Sequence, residues 1–287
     1  MTIIDELGLP KLPEPLPRPV IDNHTHTLTT QRYSKLAPAD SVALAARVGV
    51  SHIVDVGYDV ESSRHAVALA EEFGAVIAAV ALHPNDAAAI ATKDGEDAFE
   101  ATLAEIGAMV PRARAVGESG LDYYRTRDDD GQRAQEVSFR RHIGWAKEHG
   151  KTLVVHDRDA HADILRVLDD EGAPERVVMH CFSGDADFAR ACVERGFWLS
   201  FPGVVTFGNA EELRGAARVT PREKMLVETD APFLTPAPER GKRNAPYLLP
   251  HTVRFLADLL GVGVGELCDV VTANTFAAYG GRWGDDG

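Results

Sequence analysis

Thr152-Leu153-Val154-Val155-His156 sets the architecture expected of this chain. A short run that is apolar at successive positions suits a parallel strand covered on both faces, where an exposed face would demand alternation. The run stops on an imidazole, and the pattern recurs. Val20-Ile21-Asp22 leads to His24, Arg176-Val177-Val178-Met179 to His180, and Lys224-Met225-Leu226-Val227 to Glu228-Thr229-Asp230. Working outward, β-rich runs lie near 20–24, 52–57, 76–82, 113–117, 152–156, 176–180, 197–201 and 224–229. Amphipathic helical stretches near 38–48, 60–73, 96–110, 131–149, 159–171, 185–195, 209–217 and 248–260 separate or follow them, and a last helix is expected near 264–279. Gly49, Gly74, Gly150 and Gly196 stand at helix ends, where a left-handed cap is expected. Eight β-then-α units over 287 residues predict a (β/α)8 TIM barrel. A doubly wound open sheet would gather its ligands at one switch point, whereas here they are spread over strands one, four, five, six and eight.

The rest of the composition narrows the class. At 45% apolar and 26% charged residues, the chain reads as an ordinary globular protein. No apolar run of membrane-spanning length occurs, and the acidic start Met1-Thr2-Ile3-Ile4-Asp5-Glu6 lacks the basic region of a secretory signal. Cys181, Cys192 and Cys268 are sparse and form no CxxC pair, which suits a reducing, cytoplasmic setting. The formal net charge of -14 opposes nonspecific binding to nucleic acid or membrane, but bound divalent ions can reverse charge locally. Prolines 10, 13, 15, 17 and 19 make residues 1–19 an extended lead-in outside the core, ahead of a single barrel domain over 20–287. No obligate protein partner is evident.

Polar groups at the C-terminal tips of barrel strands converge at one mouth. In Asp22-Asn23-His24-Thr25-His26, the two imidazoles stand two residues apart on a strand and share a face, so both can grip one ion. Asp22 can orient an imidazole or cap the turn. Glu118, closing the fourth strand in Gly117-Glu118-Ser119-Gly120, is costly to bury unless paired or coordinated. Its two oxygens suit a bridge between two ions; the ordinary alternative is a salt bridge to Arg125 or Arg158. Asp122, Tyr123 and Tyr124 behind it are weaker candidates. His156 and His180 suit a second ion. Asp230 is placed to bind the first ion and to take a proton from attacking water, with Glu228 behind it. His83 can donate a hydrogen bond to substrate or complete a ligand shell. Arg158 has the planar fork that suits a phosphate oxygen, unless Asp157 or Asp159 neutralises it. Arg240, Lys242 and Arg243 form a local basic patch or a solvated loop. No lysine ends the fourth strand, where Glu118 stands instead, which argues against a carbamylated bridging lysine, and no GxGxxG, GxxxxGK[ST] or GxSxG motif is present.

Together these residues resemble the TatD family of metal-dependent hydrolases, within the amidohydrolase-like TIM barrels. The resemblance runs from about Val20 to Tyr279 and rests on DNHTH at 22–26, LHP at 82–84, GESGLDYY at 117–124, HDRDA at 156–160, HCFSG at 180–184, ETDAPFLTP at 228–236 and RGKRNAP at 240–246. It implies a metal-dependent DNase that cuts phosphodiester bonds, often trimming the 3′ ends of single-stranded DNA. By position, His24, His26, Glu118 and Asp230 would hold one divalent ion, and Glu118, His156 and His180 a second. Asp230 would be the general base, and His83 would lie close to the scissile phosphate. The ligand types suit Zn²⁺, Mn²⁺ or Fe²⁺, while nuclease chemistry often uses Mg²⁺. Three positions depart from the family pattern: Asn85 stands where His or Glu is frequent, Asp157 where a small or uncharged residue is common, and Ala245 where RNEP has Glu. Asp157 is expected to add negative charge beside the pocket. A different reaction on the same barrel, an esterase, amidase or deacylase acting on a small substrate, is the alternative.

Overall fold

A computed structural model of the chain describes residues 2–284. Its eight strands are β1 (Val20–Thr25), β2 (Val50–Val56), β3 (Val76–Val80), β4 (Ala115–Asp122), β5 (Thr152–Arg158), β6 (Val177–Met179), β7 (Trp198–Phe201) and β8 (Met225–Val227). They lie in sequential order in one sheet, every pair parallel. Parallel neighbours need a long crossover, and each gap between strands contains at least one helix. The sheet curls until β8 meets β1: the Asp230 N–H donates to the His24 carbonyl and the His26 N–H to the Ala231 carbonyl, both at 2.9 Å. The seam of the (β/α)8 barrel is thus built from the residues expected to hold metal.

Strand alternation divides the core in two. Val54 and Val56 of β2, Ile77 and Ala79 of β3, and Val154 of β5 point into the barrel. There they pack with Phe276, Tyr279 and Trp283, so the C-terminal helix Val264–Ala278 and the residues after it stop the N-terminal mouth. Arg114 holds that stopper by donating to the Tyr279 and Gly281 carbonyls at 2.8 and 2.9 Å. The alternate residues, such as Ile53, Leu153 and Val155, face the helices in the larger outer cluster. The metal-ligating candidates gather at the other, C-terminal mouth.

Three local expectations need correction. The fourth strand does not end at Gly117: it runs on to Asp122, paired with β5 as Ser119 to Val155 and Gly120 to His156. The helices Thr27–Ser34 and Pro84–Lys93 lie in stretches read as loop. Gly49, Gly150 and Gly196 take positive φ at helix ends, but Gly74 does not, because the helix Val60–Glu72 is capped by an extended Phe73.

The proline-rich lead-in is also not outside the core. Its Ile4, Leu9 and Leu16 are buried members of the outer cluster, and a short helix, Ile3–Leu7, precedes the prolines. An extended proline-rich chain makes no internal hydrogen bonds, so its carbonyls are free to accept. Tyr247 donates to Pro10, Arg254 to Pro15 and Thr272 to Pro19, at 2.7, 3.1 and 2.8 Å.

Candidate metal centre

At the C-terminal mouth the side chains converge on Glu118. Its Oε1 lies 3.6 Å from His24 Nε2 and 3.3 Å from His26 Nε2. Its Oε2 lies 2.8 Å from His180 Nε2, 3.1 Å from His156 Nδ1 and 4.0 Å from His83 Nε2. Asp230 completes the first side, with Oδ1 3.4 Å from His26 Nε2 and 3.9 Å from His24 Nε2. One carboxylate therefore separates two sets of donors, and neither Arg125 nor Arg158 pairs with it. Glu118 reaches this position from the middle of β4, not its end. A Cβ on Gly117 would press on Val154, and one on Gly120 would collide with the His156 carbonyl. Both take φ between 148 and 152°, where glycine is favoured, and their missing side chains let β4 and β5 close together around Glu118.

Partners behind His26 and His156 fix the nitrogen each presents. His26 Nδ1 donates to the Val56 carbonyl at 2.7 Å, leaving Nε2 for the site. His180 Nδ1 lies 3.4 Å from Glu228 Oε1, which also accepts from the Cys181 N–H at 2.8 Å. Glu228 therefore sits behind His180. His156 is turned the other way: Nε2 meets Asp122 Oδ2 at 3.3 Å and Nδ1 faces Glu118. Asn85 donates to the same Asp122 oxygen at 2.9 Å. Asp122, a weak candidate by sequence, is thus the group that orients His156. Asp22 orients no imidazole; it accepts from the Thr229 N–H and hydroxyl at 2.9 and 2.5 Å. Neither ring nitrogen of buried His24 has a hydrogen-bond partner.

Electrostatics follow from this crowding. Burial opposes charge on every group, but the histidines around it hold Glu118 well below the usual carboxylate range. Burial likewise disfavours the His180 cation, yet Glu118 and Glu228 push it up to about 10. His26 and His156 are also raised against burial, by Asp230 with Glu118 and by Asp122 with Glu118 respectively. Burial lowers His24. Carboxylates that attract protons onto neighbouring imidazoles would attract a divalent cation in their place.

This donor set fits metal. His24, His26 and Glu118, then His24, His180 and Asp230, then His83, Glu118 and His156 each place ligand atoms within 4.8 Å of one another. The orphaned nitrogens of His24 are buried polar atoms that a cation would satisfy.

His83 has a different disposition. Its Nδ1 accepts from the Asn85 N–H at 3.1 Å, capping the helix Pro84–Lys93. Burial lowers the ring to about 3, so it is neutral and its proton sits on Nε2. With its proton, Nε2 is a donor 4.0 Å from Glu118 Oε2; only without it could the same nitrogen join the ligand group with Glu118 and His156.

The expected phosphate-binding residues are not brought together. Arg158 sits over Tyr124, its guanidinium carbon 3.9 Å from the ring centre, with no ion pair to Asp157 or Asp159. Arg240 stacks on Phe207 at 4.1 Å, Lys242 pairs with Glu239, and Arg243 donates to the Leu7 carbonyl of the lead-in at 3.4 Å. Asp157 does not charge the pocket. It alternates with His156 and Arg158 on β5, faces the helix His161–Glu171, and binds His161 Nδ1 at 2.7 Å.

The chain is similar to known proteins along most of its length. The model of the TatD related DNase family matches residues 21–280. A Mycobacterium tuberculosis protein named as an uncharacterized metal-dependent hydrolase, TatD, is 44% identical over 267 residues, covering 92% of this chain and 99% of its own. Another metal-dependent hydrolase, YabD of Bacillus subtilis, is 36% identical over 257 residues, with 89% and 96% covered. In structure, the TatD homolog YJJV from Escherichia coli superposes with a TM-score of 0.79 at 24% identity, over 91% of this chain and 98% of that one. No helix among the described residues is long and apolar enough to cross a membrane.

Proposed function

Because the chain belongs to the TatD family and is a metal-dependent hydrolase, we propose that it is a two-metal deoxyribonuclease that trims single-stranded DNA from its 3′ end. The observation that carries this reading is Glu118, whose two oxygens face separate groups of histidines. In it, His24, His26, Glu118 and Asp230 hold one divalent ion, and Glu118, His156 and His180 the other, as Mg²⁺, Mn²⁺ or Zn²⁺. When bound, such ions supply Lewis acidity and neutralise phosphate charge.

The chain's own groups do the rest. Asp230, at the edge of the cluster with its side chain 12% exposed, accepts the proton of an attacking water. His83 donates from Nε2 to a phosphate oxygen, because its Nδ1 is already committed to the Asn85 N–H. Arg158 keeps its N–H edge for a second phosphate oxygen while its face rests on Tyr124. The three cysteines are free, which suits a cytoplasmic enzyme.

The test is cleavage of end-labelled single-stranded DNA by metal-stripped protein resupplied with Mg²⁺, Mn²⁺ or Zn²⁺. The expected result is a 3′ ladder, reduced at least about a hundredfold in Glu118→Ala. Protein shown to bind metal that leaves DNA intact with every ion would overturn it in favour of an ester or amide hydrolase.

A further inference from the structure

Four large hydrophobic side chains are exposed among the described residues, and three of them are aromatic rings at the mouth of this site. Phe233, 41% exposed, sits in the turn whose N–H donates to the Asp230 carbonyl at 2.9 Å, and its ring centre is 6.3 Å from that of His26. Tyr33, 61% exposed, comes from the helix that begins directly after His26. The two rings meet edge to face at 5.9 Å and form an open shelf on the β1 and β8 side. On the opposite side, beyond β4 and β5, Tyr124 is 49% exposed and carries the Arg158 guanidinium on one face.

A single exposed aromatic needs no explanation. Rings on both sides of one cluster of metal-ligating groups do, because each leaves apolar surface in water at about 25 cal/mol per Å². Each ring keeps a large exposed surface, which suits a flat ligand that covers it. Arg158 adds a phosphate partner beside one of them. A phosphodiester carries one base on each side of its phosphorus, and every base has a face that stacks on aromatic rings.

We propose that the Tyr33–Phe233 shelf is a base-stacking subsite that holds one nucleotide flanking the scissile phosphate, with Tyr124 and Arg158 receiving the nucleotide on the other side. The inference rests on the DNA reading above and sharpens it. Recognition through base faces tolerates any sequence and requires an unpaired strand, since a duplex hides those faces.

The experiment uses the full chain and a short single-stranded oligonucleotide with 2-aminopurine at its 3′ end and phosphorothioate terminal linkages that resist cleavage. Affinity is measured by anisotropy and stacking by fluorescence quenching, for wild type and for the double variant Tyr33→Leu, Phe233→Leu. A second oligonucleotide lacks its last two bases. Quenching by wild type is expected, with affinity at least about tenfold weaker in the variant and no difference between the proteins on the abasic strand. Unchanged melting of the variant excludes a folding defect. Equal quenching and affinity in both proteins, wild-type binding that ignores loss of the bases, or no binding at all would overturn the proposal. A 3′ ladder from wild type on ordinary DNA, alongside any of these, would leave the nuclease reading standing and remove only the stacking subsite.

Discussion

Asp122 is the residue that decides which nitrogen His156 presents. Burial pushes its carboxyl up, but His156, the Arg125 N–H and the Asn85 amide together hold it well below the usual carboxylate range. It is therefore an anion, fixed from several directions, with His156 Nε2 against it. Replacing it with alanine leaves the imidazole free to rotate and removes the charge that keeps it basic. Groups behind a metal ligand are worth about 10–100-fold in affinity or activity. On the proposed two-ion reading, Asp122→Ala should therefore weaken the ion on His156 by that factor and leave the one on His24 and His26 nearly unaffected. Calorimetric titration with Mn²⁺ or Zn²⁺ checks this; two unchanged binding steps would show that His156 is oriented by something else.

At the scale of the strand, Gly117-Glu118-Ser119-Gly120 looks like a loop in sequence and is the middle of β4 in the fold. Two glycines and two polar residues carry no β signal, so the strand's end is misplaced by local reading. The pairing with β5 is what extends it, and that pairing is a long-range fact. Gly120→Ala tests the arrangement: its Cβ would meet the His156 backbone, which cannot swing aside, at a positive φ that alanine adopts only with strain. A loss of about 3 kcal/mol or more is expected, read as a lowered urea midpoint. A midpoint near wild type would mean that β4 and β5 separate cheaply. The apolar strands were legible because burial on both faces leaves an unbroken run, and the tips because polar ligand types recur directly after those runs. His24 and His156 on β1 and β5, with His26, His180 and Asp230 just beyond the ends of β1, β6 and β8, fall into overlapping donor groups, as their places in the chain imply. The helices Thr27–Ser34 and Pro84–Lys93 were hidden, the first by threonines that favour strands, the second by its position directly behind His83. The contact of Arg243 with the lead-in was hidden for a related reason: only the fold reveals that Leu7 passes within 3.4 Å of it.

For the whole molecule, the barrel's seam and its donor cluster are one structure. Asp230 and His26 join β8 to β1 through their backbones, while the His26 side chain meets both Glu118 of β4 and the Asp230 carboxylate. An ion held there would bind the folded barrel and not the unfolded chain, so it stabilises by mass action, by about 2.7 kcal/mol at a hundred times its dissociation constant. With a shift of about 2–4 °C per kcal/mol for a chain of this size, a chelator should lower the melting temperature by roughly 5–10 °C. The effect should grow with pH. His26, His156 and His180 have raised proton affinities, the last to about 10, so in the metal-free protein they contribute stability below their ordinary value that is lost as pH rises through the raised one. Metal must displace those protons, so its affinity climbs over the same interval. The two trends diverge, and the gap between metal-loaded and chelated melting temperatures should be wider at pH 8 than at pH 6. His24→Ala, which removes a buried ligand, should shrink the gap at both. Melting curves at the two pH values decide it: a gap that narrows toward pH 8 would mean that the histidines around Glu118 are not what the ion replaces.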